Sequence, residues 1–285
     1  MVTYDAGLPS LPDDIISEVF SLLDLEALKP CSLTCKALSH LTKPFLHRTL
    51  HLTHWSGDPT KPKVSGRCNE LKGLLILSDR GLLQHTRHIS IFLPQLLTHS
   101  LDPHIQHLRT LTNLTSLKVL GLDTPSFIPK MEEYFGAFFG SLRSLELMFP
   151  KGDHKDILYF VCQFRDLRDL KINIPMAHPY SAHNGAPHFD IKSSPPLDGT
   201  LDLRWNVGPE SDPMGAHFIP SDLAALPSGV KFRTLKFSGY TGDNLQLLID
   251  ACASTLECLV ITGASSGVLF PHGEEHLLFT SVRPI

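Results

Sequence analysis

The chain has 285 residues, 42% of them hydrophobic and 19% charged, with a formal net charge of −4. That is the balance of a packed globule, long enough for one large domain or two unequal ones, and it excludes disorder as the default. No Lys/Arg cluster is dense enough to release many counterions, so nucleic acid is not an expected partner. The first ten residues have neither a basic n-region nor an apolar core of signal length, and no apolar run approaches the roughly 18 residues of a membrane span. The expectation is therefore a soluble protein of the cytoplasm and/or nucleus that does not engage membranes.

In chain order, LPDDIISEVFSLL at 11–23 predicts a helix. Ile15, Ile16, Val19, Phe20, Leu22 and Leu23 form an apolar stripe wide enough to need burial. Pro12 suits a first helical position, and Asp13 and Asp14 complement the dipole. Asp24 can cap a second short helix carrying Leu25 and Leu28. Pro30 is placed near the start of a third, PCSLTCKALSHL, which Pro44 should stop. A unit of about 40 residues is too small for a self-sufficient core, so either the rest of the chain or another protein must cover the stripe.

Beyond the head an LxxLxL phrase recurs as HRTLHL, TRHISI, LKVLGL, LRSLEL, LRDLKI, GTLDL, FRTLKF and LECLVI. The first of the two alternating apolar residues is read at Leu50, Ile89, Leu120, Leu145, Leu170, Leu201, Leu235 and Leu259. Alternation over so few residues marks short strands with one face in the core. Helix-like stretches lie between them at 69–77, 130–139, 155–164 and 243–252. Strand, turn and helix units of this kind cannot bury an apolar face singly, so they should stack into a curved solenoid with a parallel sheet. Pro94, Pro125, Pro150 and Pro175 fall where a side-chain ladder would normally tie the turns, which makes the repeat irregular. At 176–196 a Pro, Gly and Ser-rich stretch replaces the helix and reads as a surface loop.

Six cysteines, Cys31, Cys35, Cys68, Cys162, Cys252 and Cys258, show no paired CxxC spacing and are expected as buried thiols. GASSG at 263–267 fits a nucleophile-elbow pattern centred on Ser265, but Pro271 and Gly273 stand where the following helix must start. HGEEH at 272–276 spells a zinc-peptidase pattern that needs a helix, and the same Pro and Gly oppose one. Neither motif is assigned chemistry. The sequence predicts no enzyme activity, no metal and no cofactor.

Head and body together carry a family resemblance. Leu11-Pro12, then Ile15, Ile16, Val19, Phe20, Leu23, Leu25 and Leu28, then Ser32, Cys35-Lys36 and the FLHRTLHL close at 45–52 match an F-box. With the repeats that follow, the chain resembles an F-box protein of the leucine-rich-repeat kind, similar to the large families of mushroom-type fungi. The resemblance implies an α/β chain with a three-helix F-box at 8–50 and an irregular leucine-rich-repeat solenoid at 51–285. It implies a substrate receptor of an SCF-type ubiquitin ligase, the F-box binding a Skp-type adaptor, and through it a cullin, while the repeats hold a protein substrate. By position the adaptor contacts are Leu11, Pro12, Ile15, Ile16, Leu25, Leu28 and Cys35, whereas Val19, Phe20 and Leu23 can instead pack the head onto the first repeat. Thr34 stands where the family has Val, and Leu38 where it has Trp; both lessen packing, and Thr34 adds a hydroxyl to satisfy. Tyr180, His183, His188 and Phe189, in the Pro-rich loop, are the candidate substrate contacts. The alternatives are a repeat scaffold that has lost adaptor binding and, remotely, a hydrolase using Ser265.

Overall fold

A computed structural model describes residues 12–52, 76–92, 108–122, 124–150, 154–174, 191, 193–205, 219–239, 244–262 and 276–280. Three helices lead: α1 (Asp13–Leu22), α2 (Leu25–Thr34) and α3 (Lys36–Leu46). Nine strands follow, β1 (Thr49–Leu52), β2 (His88–Phe92), β3 (Ser116–Leu120), β4 (Ser144–Met148), β5 (Asp169–Ile174), β6 (Thr200–Trp205), β7 (Thr234–Ser238), β8 (Cys258–Thr262) and β9 (His276–Thr280). They form one sheet in chain order, parallel from β1 to β8, with β9 antiparallel to β8.

Parallel neighbours need a crossover, and helical segments supply it. α4 (Thr124–Phe127) and α5 (Met131–Phe135) join β3 to β4 with 3-10 turns after each. α6 (His154–Cys162) joins β4 to β5, α7 (Ile219–Ala224) lies between β6 and β7, and α8 (Leu245–Cys252) between β7 and β8. Within the stretches at 130–139, 155–164 and 243–252, residues 130–138, 155–162 and 245–252 are thus helical, the first passing from α to 3-10 at Gly136. Only Ile76 and Leu77 of the 69–77 stretch lie among the described residues, and both are helical. α4 and α7 escaped the sequence reading because each is too short to show a 3.6-residue period.

The register corrects one strand. Leu50, Ile89, Leu117, Leu145, Leu170, Leu201, Leu235 and Leu259 pair across one row, so the residue of β3 in that row is Leu117 rather than Leu120. LKVLGL mimics the phrase three residues late; Leu114, Leu117 and Val119 are the true set, all fully buried. Gly121, at φ 66°, turns the chain out of the strand and closes the decoy. Pro125 accordingly belongs to α4, and Leu122 takes the rung position assigned to it. Pro150 is buried at its rung; Pro94 and Pro175 lie outside the described residues.

The core runs continuously from Leu52 to Leu259. Its helical side is filled by aromatic rings, with Phe160 in contact with Phe127, Phe135 and Phe164 at centroid distances of 6.0, 5.9 and 5.2 Å. Cys162 and Cys252 are buried as expected, and burial pushes the Cys162 thiol up to about 12. Cys35 is exposed, and Cys31 and Cys258 are half-buried, against the expectation for all six. The described end of the Pro-rich loop, 193–198, has no regular structure, yet Ser194 Oγ accepts from Ser228 N–H at 3.0 Å, and Pro195 and Leu197 are buried. That end of the insertion packs into its rung.

Candidate functional site

The head is built around very few buried side chains. Pro12 caps α1 through its backbone, its carbonyl accepting from Ile15 N–H at 3.0 Å and Ile16 N–H at 3.1 Å. The Asp24 carboxylate accepts from Ala27 N–H at 2.8 Å and so caps α2 as expected. Pro30 lies inside α2, and Pro44 inside α3, which runs on to Leu46. Both prolines were misread as boundaries. The break falls instead at Cys35, whose extended backbone separates α2 from α3 and whose Sγ accepts from Leu38 N–H at 3.5 Å. Thr34 Oγ1 donates to the Pro30 carbonyl at 3.1 Å, so the extra hydroxyl is satisfied within its own helix.

Phe20 of α1 is 6% exposed and meets Phe45 of α3 edge to face at 5.9 Å. Leu28 is 3% exposed. Neither joins the core of the sheet. Leu28, one of the candidate adaptor contacts, is thus buried on the inner side of α2.

Apolar side chains stand exposed on both α1 and α2. Ile15, Val19 and Leu22 lie at i, i+4 and i+7 of α1, one side of that helix. They are 47%, 47% and 78% exposed; Leu25 is 49% and Leu33 85% exposed on α2. Of the candidate contacts, Pro12, Ile15, Leu25 and Cys35 are exposed and Ile16 is half-buried, while Leu11 lies outside the described residues. Val19, Leu22 and Leu33, which are not among those candidates, are exposed as well. Helical spacing from Ile15 could have found Val19 and Leu22; nothing local marks Leu33.

The open face of the sheet offers a second surface. Its central row reads His51, Ser90, Lys118, Glu146, Lys171, Asp202, Lys236 and Val260 from β1 to β8. Glu146 sits between Lys118 at 3.2 Å and Lys171 at 2.9 Å. Burial pushes its carboxyl up, but hydrogen bonds from Lys171 and Lys118 outweigh that and hold it below the usual carboxylate range. Arg204 forks onto Asp202, with Nε to Oδ1 at 2.9 Å and Nη2 to Oδ2 at 2.8 Å. Lys236 has no ion pair among the described residues. Charges so alternated and mutually satisfied suit polar recognition of a chain laid across the strands; no group of carboxylates, His or Cys among the described residues is placed to hold a metal.

Tyr180, His183, His188, Phe189 and Ser265 lie outside the described residues. His276, the last residue of the HGEEH spelling, opens strand β9, and residues 272–275 lie outside the described residues. No helix among the described residues is long and apolar enough to cross a membrane.

The head, with its capped helices and bared apolar side, fits one known pattern. A family model described as F-box-like matches residues 8–53. The matched stretch takes in α1 to α3 and β1, so the F-box-like region ends on the first strand of the sheet. No curated protein matches the chain significantly.

Proposed function

We propose that this chain is the substrate-recognition subunit of an SCF-type ubiquitin ligase, non-enzymatic itself and acting in the cytoplasm and/or nucleus. The observation that carries it is the uncovered face Ile15, Val19, Leu22, Leu25 and Leu33 on an F-box-like head whose own buried residues lie elsewhere. An apolar face of this size on a small head is an interaction surface by default. A Skp-type adaptor would lie on it, with Leu11, Pro12, Ile16 and Cys35 at its margin, and would bring the cullin. The sheet, read as an irregular leucine-rich-repeat solenoid of the kind seen in fungal F-box families, would present the substrate on its charged row. The Pro-rich loop with Tyr180, His183, His188 and Phe189 would stand at the rim.

Affinity purification of the tagged full chain from its native cell tests this. The expected result is co-purification of a Skp-type adaptor and a cullin, both lost when Ile15, Leu22 and Leu25 are replaced by Ser. A wild-type chain that brings down neither supports the scaffold reading instead.

A further inference from the structure

The residue immediately before each strand forms a row along the N-terminal rim of the sheet, held in place by backbone bonds from one rung to the next. Arg87 and His88 N–H groups donate to the Arg48 carbonyl, Thr115 and Ser116 to Arg87, Arg143 and Ser144 to Thr115, and Arg168 and Asp169 to Arg143. The row continues through Gly199 to Arg233 and Glu257. Five of its eight positions are therefore arginine: Arg48, Arg87, Arg143, Arg168 and Arg233.

The two ends of the row differ. At the far end, Arg168 Nε lies 3.8 Å from Asp198 and Arg233 Nη1 3.6 Å from Glu257. Beside the head no such ion pair is found among the described residues. Arg48 and Arg143 are exposed and have no acidic partner among the described residues; Arg87 Nη1 donates to the Asn113 carbonyl at 3.0 Å, a neutral acceptor. Lys43 of α3 and the half-buried His47, His85 and His88 complete the patch, and every charged group acting on these three histidines is itself basic. A chain of net charge −4 thus carries a local surplus of positive charge at the joint of head and sheet.

We propose that this rim docks a short acidic stretch of a partner protein. Guanidinium forks match carboxylates in a way that a scattered lysine surface does not. From β1 to β4 the rim spans three strand spacings, roughly 14 Å, which is the length of about four extended residues. A site of that size within an acidic chain attracts a compact run of carboxylates. A nucleic-acid duplex needs many phosphate contacts along a longer track than this. The proposal is independent of what covers the apolar face of the head.

The test uses the full chain and a fluorescent peptide in which about four glutamates are flanked by Gly and Ser, followed by anisotropy at low salt. Binding should weaken as salt rises. It should weaken about tenfold or more in Arg48→Glu with Arg143→Glu, and by much less in Arg168→Gln with Arg233→Gln, whose side chains already have acidic partners. Arg48→Gln with Arg143→Gln is the milder variant if charge reversal disturbs folding, and the melting temperature of each protein is the control. Equal binding of a peptide with Gln in place of Glu would overturn the proposal. So would wild-type affinity in a rim variant of native melting temperature, or a DNA duplex bound at least as tightly as the peptide.

Discussion

Position after position, the rungs demand particular backbone chemistry, and Gly239 is the sharpest case. Its φ of 75° is left-handed, its N–H donates to Thr262 O at 3.0 Å, and an added Cβ would run into the Trp205 carbonyl. Gly239→Ala should destabilise the sheet by more than about 1–2 kcal/mol, the left-handed cost alone, read as a fall in urea midpoint with unchanged slope. Phe149 occupies the same place after β4 at φ 56°, its N–H donating to Asn173 O at 2.8 Å, so one rung tolerates a side chain there. A second residue-level effect is pH dependence. Burial and the neighbouring charges of His40, Lys43, Arg48, Arg87 and His85 depress the pKa values of His47, His85 and His88 below 6.5. Between the folded and unfolded pKa values the unfolded chain binds more protons, so stability rises with pH there. It is complete above about 6.5 and falls on acidification below it. The melting temperature should drop from pH 7.5 to 5.5, and drop less in His47→Gln with His88→Gln.

The helices of the head show which parts of an element a sequence reveals. Asp24 as a cap was legible because a carboxylate before an apolar run has one good local use. Pro30 and Pro44 misled because proline was read as a helix boundary, a start at one and a stop at the other, whereas the boundary is set by Cys35, whose extended backbone and Sγ cap no propensity scale favours. Inward and outward leucines were equally hard to separate. Leu28 and Leu25 are both apolar on α2, and only the packing of three helices puts one inside and one out. That difference is measurable: Leu28→Ala should cost the head about 2–5 kcal/mol as a cavity mutation. Ile15→Ser and Leu25→Ser should leave the stability within about 0.5 kcal/mol of wild type and act on binding instead. Circular dichroism melts of full-length variants separate the two.

At the scale of the whole molecule, most of the sheet was legible because each strand repeats the same two alternating core positions. The slip at β3 arose because Leu120 and Leu122 flank Gly121 with the same spelling, and only pairing with Leu145 and Ile89 resolves it. The arginine rim was hidden for the opposite reason: its members lie 25 to 65 residues apart and become neighbours through register alone. The head's apolar face stood between these cases, its stripe visible and its cover unknown. Among the described residues the chain buries Phe20 and Leu28 of the head and leaves Ile15, Val19, Leu22, Leu25 and Leu33 bare. The account therefore stands on that face being an adaptor surface, and titration calorimetry of the full chain with a purified Skp-type adaptor at several temperatures tests it. Apolar burial predicts one-to-one binding with a negative heat-capacity change, abolished by Ile15→Ser, Leu22→Ser and Leu25→Ser together. No heat of binding from the folded wild-type chain, or equal binding by the folded triple variant, would contradict it.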